Sequence, residues 1–234
     1  MAADGKARTE PQISANELAL YLVSSDVAKL GIIRRNKWPS KHVVMPYQDC
    51  KRWISKFLTD DARDRTVLAS GIEYFEQLAE DSSTLTSKRE DAKRSKVALE
   101  AFFGAYNSLE LGNVSFRQAP KLAPLMINGV KVSTTLDLLT TAVVKGSNYQ
   151  GGVILRLTQA GESDRREEMG AYSATLAYMQ VEDKRPGDGE PLAKICLAID
   201  VQNKNRYEAR AGASRRRNNI EAACTMIKNV WPSV

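Results

Sequence analysis

The chain has 234 residues, 43% of them apolar and 26% charged, a balance that excludes a disordered or collagen-like polymer and allows one large domain or two small ones. Lys and Arg number 34 against 28 Asp and Glu, and the resulting net charge of +6 favours polyanionic partners. Cys50, Cys196 and Cys224 lack CxxC spacing and His42 is the single histidine, which argues against a disulfide framework, a histidine-rich metal site and most Ser-His or Cys-His catalysis.

Met1 to Pro11 carry no apolar run of the kind a signal peptide needs, and residues 1–13 read as a flexible tail. Nothing in the chain approaches the ~20 consecutive apolar residues of a membrane span, so a cytoplasmic protein with no membrane partner is expected. Ser14 and Glu17 have capping-box spacing, and Leu18, Tyr21, Leu22, Val27 and Leu30 then predict the buried face of one helix. Pro39 closes it, because the residue before a proline avoids the helical region. Tyr47–Leu58 and Ala62–Glu80 are two further expected helices, the second with Leu68, Ile72, Phe75 and Leu78 inward. Ser87 and Glu90 offer a second capping box, opening a helix through Phe102, Phe103 and Tyr106 that Gly112 is placed to stop.

Beyond Gly112 the period changes from helical to strand-like. Val114–Ala119 and Leu122–Ile127 are expected strands, and Asn128-Gly129 predicts a tight hairpin whose return strand runs from Val130 to about Val144. A polar loop from Lys145 to Gly152 leads to a strand at Val153–Thr158. Ser163 starts a helix through Met169, Tyr172, Leu176 and Met179, and a charged loop follows over Glu182–Pro191. Ile195–Val201 reads as a buried strand, with a partner strand after the turn at Asn203 to Arg206. Ser214 opens the last helix, which Trp231-Pro232 closes as an anchor. The expected organisation is a tail over 1–13, a helical extension over 14–86 and an α/β core over 87–234, all parts of one compact unit.

No P-loop, GxSxG, HExxH or GxGxxG motif is present, and the glycines of Gly151-Gly152 and Gly187-Asp188-Gly189 read as turns. The stretch Ile127-Asn128-Gly129-Val130-Lys131-Val132-Ser133, with Leu136-Asp137-Leu138-Leu139 and Gly152-Val153-Ile154-Leu155-Arg156-Leu157, carries the most information. Here the chain resembles the PD-(D/E)XK nuclease superfamily, in particular its RecB/Cas4-like branch, over roughly residues 87–231. The resemblance implies an α+β fold: a helical N-terminal half, then a restriction-endonuclease-like αβββαβ core with a C-terminal helix. It also implies a site where an Asp on one strand and an acid and a Lys on the next hold Mg²⁺ or Mn²⁺ for phosphodiester hydrolysis. Asp137 matches the first acid and would be catalytic and metal-binding. The second acid falls on Ile154, which cannot ligate a metal, and the Lys falls on Arg156, which stays protonated and would at most hold the scissile phosphate. Tyr172 falls near the family's helix Tyr, with Met169 or Glu168 where Gln belongs. Either the second acid has moved, to Glu100, Glu162 or Glu168, or the site is dead. Asp200-Val201-Gln202 is a second near-match on the strand after the helix.

Two basic clusters complete the candidate site. Arg34, Arg35, Lys37 and Lys41 surround Trp38, and Arg215, Arg216 and Arg217 open the last helix, where the dipole disfavours cations. Both are candidate contacts to a phosphate backbone, and both equally suit a solvated or acid-paired surface. The expectation is a nucleic-acid-associated protein, DNA being the favoured partner, that is either catalytically degenerate or a weak metal-dependent nuclease. The alternative is a non-enzymatic interaction or assembly subunit with no nucleic-acid contact.

Overall fold

Ser14 Oγ accepts a hydrogen bond from the Glu17 N–H at 3.2 Å, the cap that the Ser-x-x-Glu spacing predicts, and helix α1 (Ala15–Leu22) starts there. The computed structural model describes residues 6–40, 46–158, 163–210 and 213–234. The chain does not continue as one helix. It turns over Val23–Ser25 and restarts as α2 (Asp26–Lys37) in a new phase. Val27 and Leu30, expected in the core, are therefore 84% and 44% exposed, and Ile32 and Ile33 are buried instead. Part of the expected tail is also ordered: β1 (Gln12–Ser14) buries Ile13.

Helices α3 (Gln48–Thr59), α4 (Thr66–Glu80) and α5 (Thr86–Ala105) follow close to their expected positions. On α3, Cys50, Ile54, Phe57 and Leu58 repeat at helical spacing and all are buried. Phe57 meets Phe102 and Tyr106 edge-on, with ring centroids at 6.1 and 4.8 Å, which locks α3 onto α5. The Ser87–Glu90 box does not start α5; Leu85 stands at the cap without a side-chain bond. The helix ends before Gly112, through a 3₁₀ turn at Tyr106–Leu109 and the left-handed Glu110.

The strands β2 (Ser115–Gln118), β3 (Leu125–Ile127), β4 (Val130–Ser133), β5 (Leu138–Val144) and β6 (Ser147–Arg156) come next. Asn128 and Gly129 have φ of 47° and 82°, as a two-residue hairpin turn requires. The return strand expected from Val130 to Val144 is divided: β4 pairs with β3 and, in parallel, with β1, whereas β5 belongs to a second sheet. The loop expected over Lys145–Gly152 is a tight turn at Lys145-Gly146 followed by the first half of β6. Helix α6 (Ser163–Lys184) crosses from β6 to the short β7 (Glu190–Pro191) and then β8 (Leu197–Asp200), both parallel to β6. β9 (Asn205–Glu208) and α7 (Ala213–Val230) close the chain, and among the described residues the larger sheet runs β2-β5-β6-β8-β9. The fold is thus mixed α+β, helical in its N-terminal half and with a C-terminal helix.

Two apolar cores lie on the two faces of that sheet. Leu138, Val153, Leu155, Leu197 and Ile199 pack with Phe57, Leu68, Leu99 and Phe102 of α3–α5. Leu139, Ile154, Cys196 and Ala198 point the other way, to α6 and beyond it to α1, α2, α7 and the smaller sheet. Strand β6 is covered on both faces, so its buried run is continuous rather than alternating. Helix α6 also has neighbours on two sides, and Ala171, Ser173, Ala174, Thr175 and Ala177 keep it slim there. Ser173 and Thr175 return their hydroxyls to the carbonyls of Met169 and Ala171, both at 2.8 Å.

Candidate functional site

Asp137 stands immediately before β5, where its N–H donates to the Val153 carbonyl at 2.8 Å. Its carboxylate is already occupied. Oδ2 accepts the Leu155 N–H at 2.6 Å, and Lys51 Nζ from α3 lies 2.9 and 3.0 Å from the two oxygens. The side chain is only 9% exposed. This is a structural cap: Asp137 closes a ladder position of β6 and ties α3 to the sheet. Ile154 is the register reason for the missing acid, since it points into the core beneath α6.

Arg156 is tied to a different group. It lies opposite Asp200 across the parallel β6–β8 pair, and side chains at paired positions share one face of the sheet. Its Nη1 lies 3.6 Å from Asp200 Oδ2 and donates to the Arg166 carbonyl at 3.1 Å. Arg166 from α6 grips the same carboxylate, with Nη2 at 2.5 Å from Oδ1 and Nε at 3.1 Å from Oδ2. The Asn203 N–H adds a further bond to Oδ1 at 3.1 Å. Burial pulls the Arg156 guanidinium below its ordinary value and the Asp200 charge opposes that. A guanidinium nonetheless stays charged, so this is a permanent buried ion cluster.

The other acids weighed for the site are elsewhere. Glu100 is exposed on α5, Glu168 opens from α6 into a cleft on the β9 side, and Glu162 lies outside the described residues. Among the described residues no group of three or more His, Cys, Asp or Glu side chains could hold a metal. The described donors around Asp137, an ammonium and an N–H, do not fit a divalent cation. Tyr172 is buried in a third place, its hydroxyl accepting from Asn219 Nδ2 at 2.9 Å.

The basic residues divide into tied and free ones. Arg35 Nε binds Glu17 Oε2 at 2.6 Å. Lys37 Nζ caps the 3₁₀ turn after α7, donating to the Trp231 and Val234 backbone oxygens at 2.7 and 2.6 Å. Arg217 pairs with Glu182 of α6 and lies over the Tyr178 ring; the hydrogen bond to Glu182 and burial push the Tyr178 hydroxyl up to about 12. Arg34, Arg215 and Arg216 make no ion pair among the described residues, and Lys41 lies outside them. The two clusters do not converge. Arg216 and Trp231, the contact of Lys37, are fifteen residues apart on one rod, about 22 Å at 1.5 Å per residue. Arg216 instead joins Arg206, Arg210, Glu167, Glu168 and Tyr207 around a polar cleft of about 520 Å³. No family model, curated protein or solved structure matches the chain.

Sequence reasoning missed Lys51, which carries no local signal because it meets Asp137 only through the packing of α3 on the sheet. The Arg166–Asp200 contact did leave a trace: an Asp ending the apolar run Leu197-Ala198-Ile199 must find a cation if that strand is central.

Proposed function

We propose that this chain is a nucleic-acid-associated protein without hydrolytic chemistry, built on a degenerate PD-(D/E)XK-like frame. The order α5, β2, β5, β6, α6, β8 supports the αβββαβ part of that reading: β2, β5 and β6 are successive antiparallel neighbours, and β8 joins β6 in parallel after α6. One observation carries the loss of catalysis. At the position of the family's first metal ligand, both carboxylate oxygens of Asp137 are held by Lys51, and one of them by the Leu155 N–H as well. Arg156 is buried and shares the Asp200 carboxylate with Arg166 instead of presenting its charge to a phosphate. Contact with a polyanion falls to the start of α7, where Arg215 and Arg216 make no ion pair among the described residues.

Labelled single- and double-stranded DNA and RNA, incubated with the protein in EDTA, Mg²⁺ or Mn²⁺, should stay intact, while anisotropy shows binding that weakens with salt. The double variant Arg215→Ala, Arg216→Ala should lower the slope of log K against log salt by about 1.8, the share of two phosphates. Metal-dependent cleavage abolished by Asp137→Ala would overturn the degenerate reading. Absence of binding to all four substrates would overturn the nucleic-acid reading in favour of an assembly subunit, for which the groove described next speaks.

A further inference from the structure

Helices α2 and α7 lie side by side with a gap between them. Asp26, Lys29, Leu30 and Ile33 form one wall and Asn219, Ala222, Met226 and Val230 the other, over a floor of Tyr21, Leu22, Ala223 and Tyr172. The groove has a volume of about 470 Å³. Its rim is apolar and open to solvent: Leu30 is 44% and Met226 56% exposed, and Val27, one turn before Leu30, is 84% exposed. Burying such side chains is favourable, and among the described residues they stand open to solvent.

Charge selects the occupant. Asp26 and Lys29 on the wall pair with each other at 3.1 Å and cancel. One turn beyond Leu30 stands Arg34, and one turn before Asn219 stands Arg215, both exposed and both without an ion pair among the described residues. Lys37 against the Trp231 carbonyl fixes the polarity: the C-terminal ends of α2 and α7 lie together, so Arg34 and Arg215 mark opposite ends of the groove. From Arg215 to Val230 the wall is about 22 Å long, the length of a helix of about 15 residues. We propose that this groove receives an amphipathic helix of a partner protein, with apolar anchors at i, i+3 and i+7 and acidic residues at both ends. A phosphate backbone would need cations along the floor, which is apolar. A second copy of this chain would bring its own Arg34 and Arg215 to the same rim.

The test uses the whole protein and a fluorescein-labelled synthetic helix of about 15 residues, with Leu at i, i+3 and i+7 and two Glu at each end. A second peptide has Lys in place of every Glu. The acidic peptide should bind saturably and at least about tenfold more tightly than the basic one. Leu30→Asp and Met226→Asp alter exposed side chains, and each should weaken binding about tenfold with the thermal midpoint unchanged. Arg34→Glu should reduce the preference for the acidic peptide. Equal affinity for the two peptides, or indifference to both Asp substitutions, would overturn the proposal. So would displacement of the peptide by double-stranded DNA or by anionic phosphatidylserine vesicles, if Leu30→Asp abolished binding of that competitor.

Discussion

Asp137→Ala separates a structural carboxylate from a catalytic one by its effect on stability. A carboxylate kept for metal chemistry is commonly a burden on the apo fold, and removing it is neutral or stabilising. Here removal should cost stability in two parts. The Leu155 N–H, buried in β6, would lose its acceptor, at about 1–3 kcal/mol. The pair with Lys51 would also be lost; Lys51 is 23% exposed and can recover water, so that part is only about 1 kcal/mol. The sum is about 2–4 kcal/mol for Ala. Asn keeps a carbonyl oxygen for the Leu155 N–H and should cost about 1 kcal/mol. Urea unfolding followed by far-ultraviolet circular dichroism reads this directly. With a slope of about 3 kcal/mol/M, the Asp137→Ala midpoint falls by roughly 1 M and that of Asp137→Asn by roughly a third as much. Combining Lys51→Met with Asp137→Asn should give a coupling of about 1 kcal/mol. The reasoning fails if Ala costs under about 0.5 kcal/mol, or if Asn is as damaging as Ala.

Asp200→Ala should destabilise by about 3–5 kcal/mol in the same assay, because Arg156 and Arg166 would stay buried without the carboxylate they share. Gly170→Ala should cost about 1–3 kcal/mol, since a Cβ there would fall on the Tyr207 ring that seats β9 against α6. Thermal midpoints measure that loss, and an unchanged midpoint would refute the contact. Burial pushes the thiols of Cys50, Cys196 and Cys224 from 9.0 up to about 12. All three should resist a disulfide reagent at pH 8 until the protein is unfolded. Above pH 9 the unfolded chain releases thiol protons that the folded chain retains, so the thiol contribution to stability is intact below pH 9 and falls as pH rises toward 12. Urea midpoints that do not decline over that range would contradict the burial argument.

Signals confined to a few neighbouring residues were readable in the sequence. The Ser14 cap, the Asn128-Gly129 hairpin and the long helices α5 and α6 each depend on residues within a few turns of one another. What escaped depends on distant chain. Gly151 and Gly152 read as a loop, yet they lie in β6 because the Ile195 carbonyl and the Leu136 side chain occupy the space a Cβ would need. Ser133 to Leu136 holds no Gly or Pro, so nothing local marks the passage from the smaller sheet to the larger. Val27 and Leu30 extend the apolar spacing of α1, and a three-residue turn rotates them away from the core. At the candidate site, the loss of an acid at Ile154 was legible as a residue type. Its cause, a position facing α6, was not, and neither were the partners of Asp137 and Arg156.

The covering of α3–α5 by a sheet that comes later in the chain also has a consequence for synthesis. Phe57, Leu99 and Phe102 share a core with residues of β5, β6 and β8, and the β8 residue Ile199 is made roughly 100 positions after Phe102. At ribosomal speeds of about 5–20 residues per second, the helices wait roughly 5–20 s after emerging before the last strand of their native cover, β8, is available. During that interval the growing polypeptide is an open, adhesive group of three helices, and the yield of soluble protein should depend on translation rate and on holding factors at the exit tunnel more than on the final stability of the fold.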